Sequence, residues 1–315
     1  WNVDQYGNDS NPEANDSDGV HLLKLHSGAI THLEWNSSGS HLLSAGYDGS
    51  VRSFDVATQK FQEIFATYDD SPQFTNKIGA GMDEGYRYWT QYVTTDHRNS
   101  GGDSKCLFLA TSTGNVAHID LRKRKPLSYN VNLSDKKINT VSLHPDGNIL
   151  AIAGNEGTVK LWDVRKFGSN AKLEPTSFQN VGRSVNSAFF SPSGSSLLTT
   201  TMHNTIDILG DTHLQSGIIK KPTHRIRHDN QTGRWLSTLM ARWHPGLDTD
   251  EEAFVVGSMQ KPRTIEIFSG ATGKLLRGIR GEALTAVASR CCFHPNSNKL
   301  IVAGGNSSGR VTIAR

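Results

Sequence analysis

One pattern of apolar and polar positions recurs along the chain: a tight polar turn, then a short run in which apolar and polar residues alternate. The pattern is clearest at residues 49–55 (GSVRSFD) and 157–163 (GTVKLWD), and four weaker copies lie at 114–120, 204–209, 263–268 and 309–313. Alternation with a period of two predicts a half-buried β-strand, and the Gly, Asn and Asp residues predict a hairpin turn before it. The sequence therefore predicts an all-β protein.

A second set of turns precedes most copies, at residues 36–39, 144–147, 191–194, 244–246 and 294–297. The predicted strands end at positions 55, 120, 163, 210, 269 and 315, so that consecutive ends lie 43 to 65 residues apart. Repeats of about 40 to 45 residues, some ending in Trp-Asp, are typical of the four-stranded blades of a WD-repeat β-propeller. We expect residues 1–315 to form one such domain.

The sequence indicates the number of blades less directly than it indicates the repeat. Trp1-Asn2-Val3-Asp4 fits the end of one more blade near position 2. We therefore expect seven blades, with the first blade truncated at the N-terminus. A six-bladed ring, closed by residues 20–25, is the alternative. Residues 61–102 form the longest interruption of the pattern, and their aromatic residues predict an ordered, degenerate blade.

Charge is distributed unevenly along the chain. Residues 1–104 contain 6 Lys and Arg against 15 Asp and Glu, whereas residues 105–315 contain 27 against 15. A basic surface that binds a polyanion is therefore expected in the second part. The chain contains no run of about 18 apolar residues, so we expect no membrane association. Its three cysteines, Cys106, Cys291 and Cys292, lack the spacing of a zinc site.

The sequence motifs predict no catalytic site. Residues 305–309 match GxSxG, but they precede a predicted strand, whereas the hydrolase motif precedes a helix. His26 and Asp48 are expected to hydrogen-bond and hold a turn. We therefore expect a binding platform, with no catalytic residue, metal, cofactor or small-molecule substrate.

The segment 220–235 combines basic residues with one aromatic residue, which suits a phosphate backbone beside an unstacked base. One alternative is that the segment is a solvated loop whose Trp belongs to the core. Another is that the protein is a scaffold whose basic segment binds an acidic partner, such as a histone chaperone. The candidate DNA-binding residues in this segment are Lys220, Lys221, His224, Arg225, Arg227, His228, Arg234 and Trp235. Arg242, Lys261 and Arg263 would extend the surface from the following blade.

Two consecutive copies end in Asp-x-Arg. The first contains Asp120 and Arg122, and the second contains Trp162, Asp163 and Arg165. Equivalent strand ends lie on one rim of a propeller, so these residues are candidates for docking a partner protein. The alternative is that each Arg only pairs with a neighbouring Asp.

Three segments carry a resemblance to a known family: Arg227-His228 with residues 231–236 (QTGRWL), residues 256–259 (VGSM) and residues 303–309 (AGGNSSG). They resemble the WD-repeat family of the yeast changed-mutation-rate DNA-binding protein and its animal counterpart. That family is related to the WD-repeat subunit of the ultraviolet-damaged-DNA-binding complex.

The resemblance implies a nuclear protein, with a cytoplasmic pool as the alternative, that binds DNA, prefers damaged DNA and acts in DNA metabolism. It also implies a substrate receptor of the cullin-4 ubiquitin ligase, whose adaptor would contact Asp120, Arg122, Asp163 and Arg165. The related damage-binding subunit inserts a Phe-Gln-His hairpin into the lesion, whereas this chain has Gly233-Arg234-Trp235 at that place. Arg234 and Trp235 would then probe a groove or stack on a base.

Overall fold

A computed structural model of the chain describes residues 25–36, 38–67, 88–96, 98, 105–169, 172–211, 217–219, 221–233, 236–246, 252–282, 284–295 and 300–314. In these residues the strands assemble into six sheets. Within each sheet, strands that follow one another in the chain pair antiparallel, with one short parallel addition. The protein is therefore an all-β propeller, as the repeat predicts.

Sheets 1 and 2 contain four strands each. Sheet 3 contains five strands, because a short strand is added at its edge. Sheet 1 consists of β1 (Ile30–Trp35), β2 (His41–Gly46), β3 (Ser50–Asp55) and β4 (Lys60–Ala66). Sheet 2 consists of β5 (Thr90–Asp96), β6 (Cys106–Thr111), β7 (Asn115–Asp120) and β8 (Leu127–Asn132). Sheet 3 consists of β9 (Ile138–Leu143), β10 (Ile149–Gly154), β11 (Thr158–Asp163) and β12 (Ser177–Asn180), with a 3-10 helix at Val164–Lys166 and with β16 (Gly217–Ile218) beside β12.

The last three sheets follow the same order. Sheet 4 consists of β13 (Val185–Phe190), β14 (Ser196–Thr201), β15 (Thr205–Gly210) and β17 (His224–Arg227). Sheet 5 consists of β18 (Arg242–Trp243), β19 (Ala253–Gly257), β20 (Ile265–Ser269) and β21 (Leu275–Ile279). Sheet 6 consists of β22 (Arg290–Phe293), β23 (Val302–Gly305) and β24 (Val311–Ala314).

The first strands of neighbouring sheets run in the same direction. The backbone N–H groups of Ala188 and Phe190 on β13 donate to the hydroxyls of Thr140 (3.0 Å) and Ser142 (3.1 Å) on β9. Two contacts with the same offset show that the two strands are parallel in space. Every sheet can therefore present its equivalent turns at the same end of the molecule.

These two ends define two faces. The 2–3 face carries the turns between the second and third strands, at residues 47–49, 112–114, 155–157, 202–204, 258–264 and 306–310. The 3–4 face carries the ends of the third strands, at Asp55, Asp120, Asp163, Gly210, Ser269 and Ala314. Because consecutive strands are antiparallel, the connections from each fourth strand to the next sheet return to the 2–3 face.

The prediction of seven blades is wrong for the described residues, which form six sheets. The seventh blade depended on Trp1-Asn2-Val3-Asp4 alone, and residues 1–24 lie outside the part of the chain that the structure describes. Sheets 2 and 5 approach one centre, because the guanidinium of Arg242 on β18 lies 5.4 Å from the ring centroid of Tyr92 on β5. The six sheets agree with the six-bladed alternative. Most of residues 20–25, which were expected to close that ring, also lie outside the described residues.

The interruption at 61–102 is not a separate blade where it is described. Its beginning belongs to β4, which pairs with β3, and its end contains β5, which pairs with β6. Residues 68–87 lie outside the described part. The expected degenerate blade is thus divided between sheets 1 and 2.

Buried polar side chains hold the first turn of the 2–3 face. The Nδ1 atom of His26 lies 3.0 Å from Oδ1 of Asp48, and its Nε2 lies 2.8 Å from the hydroxyl of Ser44. Asp48 also accepts hydrogen bonds from the backbone N–H groups of Ser27 and Ser50. Ser44 is 1% exposed, so this Ser-His-Asp arrangement is a buried brace for the turn.

Candidate nucleic-acid interface

The basic segment runs from one face of the propeller to the other. In β17, His224 pairs with Ile208 and Arg227 pairs with Thr205, the first residue of β15. Lys221 therefore lies towards the 3–4 face, whereas Arg227 and the residues after it lie on the 2–3 face. The predicted DNA-binding residues that the structure describes consequently lie on two faces of the propeller.

Arg225 is occupied by an ion pair within sheet 4. Its Nε donates to Oδ1 of Asp207 at 2.9 Å, and its Nη2 donates to Oδ2 at 2.8 Å. The Asp207 carboxylate is buried, and its hydrogen bonds raise the pKa of Arg225. Such a bidentate pair neutralises the charge that a phosphate would need.

The two histidines of the segment are also engaged. The Nε2 atom of His224 lies 2.8 Å from the carbonyl oxygen of Ala271 in the turn before β21. His228 is buried, with its Nδ1 atom 2.7 Å from Oδ1 of Asn230. Asn230 in turn donates to the carbonyl oxygens of Thr201 and Thr205. Both histidines thus fasten the segment to neighbouring strands.

Arg227 is the basic residue of β17 that remains available. It is exposed, and it forms no ion pair with any described carboxylate. Lys220, Arg234 and Trp235 lie outside the described residues. Their assignment remains a prediction from the sequence.

The three residues expected to extend the surface lie at different depths. Lys261 is exposed in the turn between β19 and β20, and Arg263 donates to the carbonyl oxygen of Met259 in the same turn. Arg242 points towards the centre, where its guanidinium lies 4.1 Å from the ring centroid of Phe189 and 5.4 Å from that of Tyr92. Lys261 and Arg263 thus belong to the 2–3 face, and Arg242 belongs to the interior behind it.

The structure adds basic residues that the sequence analysis did not select. They lie on the connections that return to the 2–3 face or at the start of β22, they are exposed, and none forms an ion pair within the described residues: Lys136, Arg183, Arg280 and Arg290. No local motif marks them, because they come from four separate places in the chain. Together with Arg227 and Lys261 they make an arc across sheets 3 to 6, which we call the basic arc.

Carboxylates on the same face are partly neutralised. The Nδ1 atom of His26 holds Asp48, and Lys160 donates to both oxygens of Glu156 at 2.7 and 2.9 Å. Asp135, Asp229 and Glu282 lie on the connections among the basic residues. The basic arc is therefore positively charged, but these carboxylates interrupt it.

The two Asp-x-Arg copies share one geometry on the 3–4 face. Arg165 donates from Nε and Nη2 to the two oxygens of Asp163 at 2.9 and 2.8 Å, and its backbone N–H also donates to Oδ1. Arg122 binds Asp120 in the same way, at 2.8 and 3.0 Å. Hydrogen bonds from Arg122 lower the pKa of Asp120 to about 2.

Both arginines remain solvent-exposed despite these bonds, with 51% of the Arg122 side chain and 65% of the Arg165 side chain accessible. Trp162, by contrast, is 6% exposed and packs in the core. Trp162 can therefore support a docking rim but cannot lie in the contact itself.

A second basic run lies beside this rim. Residues 122–125 (RKRK) connect β7 to β8 on the 3–4 face and are exposed. Asp120 binds Arg122 and lies 3.9 Å from the Nζ atom of Lys123. The 3–4 face thus offers a competing site for a polyanion, next to carboxylates that would repel it.

Comparison with protein families decides which kind of propeller this is. A family model described as the N-terminal domain of nucleolar protein 10-like proteins, a β-propeller, matches residues 20–208, more than half of the chain. The chain belongs to this β-propeller family. The relatives of the chain include WD-repeat proteins, as the resemblance of the motifs predicts.

Three curated relatives cover most of the chain. WD repeat-containing protein 76 of Xenopus laevis is 32% identical over 94% of this chain and 47% of its own length, and the protein of that name from Mus musculus is 30% identical over 94% and 43%. DNA damage-binding protein cmr1 of Aspergillus terreus is 29% identical over 92% and 53%. The chain thus spans about half the length of the curated relatives it matches.

Comparison with solved structures agrees on the fold. A chain in the crystal structure of the mitotic checkpoint complex superposes with a TM-score of 0.64 at 16% identity, covering 91% of this chain and 74% of that chain. Separately, none of the helices in the described residues has the length and apolarity to span a membrane.

Proposed function

We propose that this propeller is a DNA-binding protein that uses the 2–3 face, prefers damaged DNA and acts in the DNA damage response. The observation that carries the proposal is the basic arc of six exposed side chains that form no ion pair within the described residues. Lys and Arg that are free of ion pairs can neutralise phosphates and release counterions, which supplies most of the affinity of non-specific DNA binding.

The names of the relatives support the same conclusion. The fungal relatives are named DNA damage-binding proteins, and they align with nearly the whole described propeller. A damaged site is easier to unstack than an intact one, so an aromatic side chain beside a phosphate-binding surface can favour it. We assign that role to Trp235, next to Arg234, from the sequence alone.

A second role is proposed for the 3–4 face. Arg122 and Arg165 project from equivalent strand ends, in the same orientation and with their donors fixed by Asp120 and Asp163. Exposed, preorganised arginines are frequent anchors of protein interfaces. We propose that this rim binds the adaptor of a cullin-4 ubiquitin ligase, so that the protein would act as a substrate receptor in the nucleus.

The rival function is a scaffold whose basic arc binds an acidic protein. Titration with a DNA duplex at several salt concentrations separates the two functions. Phosphate contacts predict that the logarithm of the binding constant falls linearly with the logarithm of the salt concentration, with a slope of about −0.9 per neutralised phosphate. Undetectable DNA binding at low salt, together with tight binding of an acidic protein, would favour the scaffold.

A further inference from the structure

The first strands bring two arginines together near the centre of the 2–3 face. Tyr92 of sheet 2 and Phe189 of sheet 4 have ring centroids 5.7 Å apart although sheet 3 lies between those sheets. Their contact fills the centre, and Arg242 lies over both rings. The aromatic pair therefore lies against Arg242 near the centre of the propeller.

Arg290 lies where sheet 6 reaches the 2–3 face. It is the first residue of β22 and pairs with Gly305, which directly precedes a turn of the 2–3 face. Its Nη1 donates to the carbonyl oxygen of Thr238 at 2.8 Å, which fixes the guanidinium. Arg290 is nevertheless exposed as a residue.

Neither guanidinium forms an ion pair with a carboxylate of the described residues. Surrounding protein lowers the pKa of Arg290, and the nearby charge of Arg242 lowers it further. Burial raises the pKa of Tyr92 to about 12, so its hydroxyl stays neutral at physiological pH. Two arginines of one region that form no ion pair within the described residues favour the binding of an anion from outside.

The carboxylates of the first strands are committed elsewhere. Glu34 on β1 lies 3.1 Å from Nε2 of His32, and Asp96 at the end of β5 binds Arg98 and His118. Within the described residues, neither Arg242 nor Arg290 forms an ion pair. Among the described first strands, Arg242 and Arg290 are thus cations without an ion pair, and Glu34, whose charge acts on Tyr92, is a carboxylate of the same region.

We propose that Arg290 and Arg242 form a phosphate site that accepts the terminal phosphate of a DNA strand. The proposal rests on the proposed DNA-binding function and adds to it the recognition of strand ends. Tyr92 and Phe189 meet across the centre, which would exclude a duplex but admit a strand end. A terminal phosphate carries up to two charges near neutral pH, and guanidinium groups bind such oxygens with two donors at once.

The test compares two fluorescent duplexes that have a short single-stranded 5′ overhang and differ only in a 5′-phosphate or 5′-hydroxyl. We expect the phosphate to strengthen binding about tenfold, as one or two charge-assisted hydrogen bonds would. Arg290→Gln should reduce this ratio to about one. Arg290→Lys, which keeps the charge but loses the fork of donors, should give an intermediate ratio.

Arg280→Gln is the matched control, since it removes an exposed arginine of the same face away from the centre. It should weaken both duplexes alike and keep the ratio. A ratio of one in the unmodified protein, or an unchanged ratio in Arg290→Gln, would overturn the strand-end site while leaving DNA binding intact. If neither duplex binds the unmodified protein, the proposed function itself fails.

Inorganic phosphate supplies a readout that does not involve DNA. At millimolar concentration it should raise the melting temperature of the unmodified protein relative to chloride at equal ionic strength, because a ligand that binds only the folded state stabilises it. Arg290→Gln should lose this shift and Arg280→Gln should keep it. An equal shift in all three proteins would place the phosphate elsewhere and contradict the site.

Discussion

Arg225 and Asp207 face each other across β17 and β15 and are joined by two hydrogen bonds of 2.9 and 2.8 Å. Two residues further along the same strand, Arg227 is exposed and forms no ion pair with any carboxylate that the structure describes. Side chains two residues apart lie on the same side of a strand. The two arginines therefore share their local environment and differ mainly in whether a buried carboxylate holds them.

The first prediction follows from this difference between Arg225 and Arg227. Arg225→Ala leaves the buried Asp207 carboxylate without its partner and should lower the free energy of unfolding by about 2 to 4 kcal/mol. Arg227→Ala should change it by less than about 0.5 kcal/mol. In DNA titrations, Arg227→Ala should reduce the salt slope by about 1, and Arg225→Ala should leave it unchanged. Urea denaturation and the titrations together check this, and a reversal of the two patterns would refute it.

The second prediction concerns the adaptor rim. The Arg122→Ala, Arg165→Ala double variant should lose capture of the cullin-4 adaptor, while its DNA affinity stays within about threefold, because distant sites act independently. Arg227→Ala is the reciprocal control on the opposite face and should keep adaptor capture. Pull-down with purified adaptor measures both variants. Undiminished capture by the double variant would remove the ligase role.

The third prediction is a pH dependence of stability. Burial alone would raise the pKa of Asp96, but hydrogen bonds from Arg98 and His118 outweigh it and hold the pKa below its usual value. A carboxylate with a lowered folded pKa contributes stability above its unfolded pKa of about 3.9, and this contribution is lost as the pH falls towards the folded value.

Asp96→Asn should therefore melt well below the unmodified protein at pH 7, and the difference should shrink as the pH falls below about 4. Thermal melts between pH 3 and pH 7 measure this difference. Asp229→Asn is a suitable control, because Asp229 is exposed and its described hydrogen bond comes from the backbone N–H of Gln231, so its melting difference should stay small across the range. A constant difference for Asp96→Asn across the range would contradict the assignment.

The fourth prediction tests the probing role of Trp235. If its ring stacks on an exposed base, Trp235→Ala should weaken binding to a lesion-containing duplex more than to the intact duplex, since stacking is worth about 1 to 3 kcal/mol. Paired titrations and a melting curve measure the effect. A variant that melts normally and keeps its lesion preference would leave the segment as a sequence-blind phosphate contact.

The strand pattern is the part of the fold that local sequence encodes well. Strands β3, β7, β11, β15 and β20 end at positions 55, 120, 163, 210 and 269, where the repeat places them, and β24 ends one residue before 315. Alternating burial within each strand and the turn before it are local properties. The number of sheets is not, and a single four-residue match at the N-terminus was too weak a basis for a seventh blade.

The candidate site was harder to predict because it is assembled from distant residues. A run of basic residues in the sequence suggested one surface, but a β-strand carries its ends to opposite faces, which separates Lys221 from Arg227. Asp207 lies 18 residues before Arg225, and nothing in the local composition indicates their ion pair. Arg183, Arg280 and Arg290 have no shared motif, so their convergence becomes visible only in three dimensions.

The most direct test of DNA binding by the 2–3 face compares two fourfold alanine variants. One replaces four residues of the basic arc, Lys136, Arg183, Arg227 and Lys261, and the other replaces four exposed basic residues of the opposite face, Arg124, Lys125, Lys166 and Lys221. Both remove the same charge, so differences in DNA binding report position.

The measurement is the salt dependence of duplex binding for the two variants and the unmodified protein, with a melting curve for each. Loss of phosphate contacts from the arc should weaken binding by tenfold or more at about 0.15 M salt and reduce the salt slope by about 3 to 4, whereas the opposite-face variant should keep the slope of the unmodified protein. Equal losses in both variants, or a loss confined to the opposite face, would contradict DNA binding through the 2–3 face.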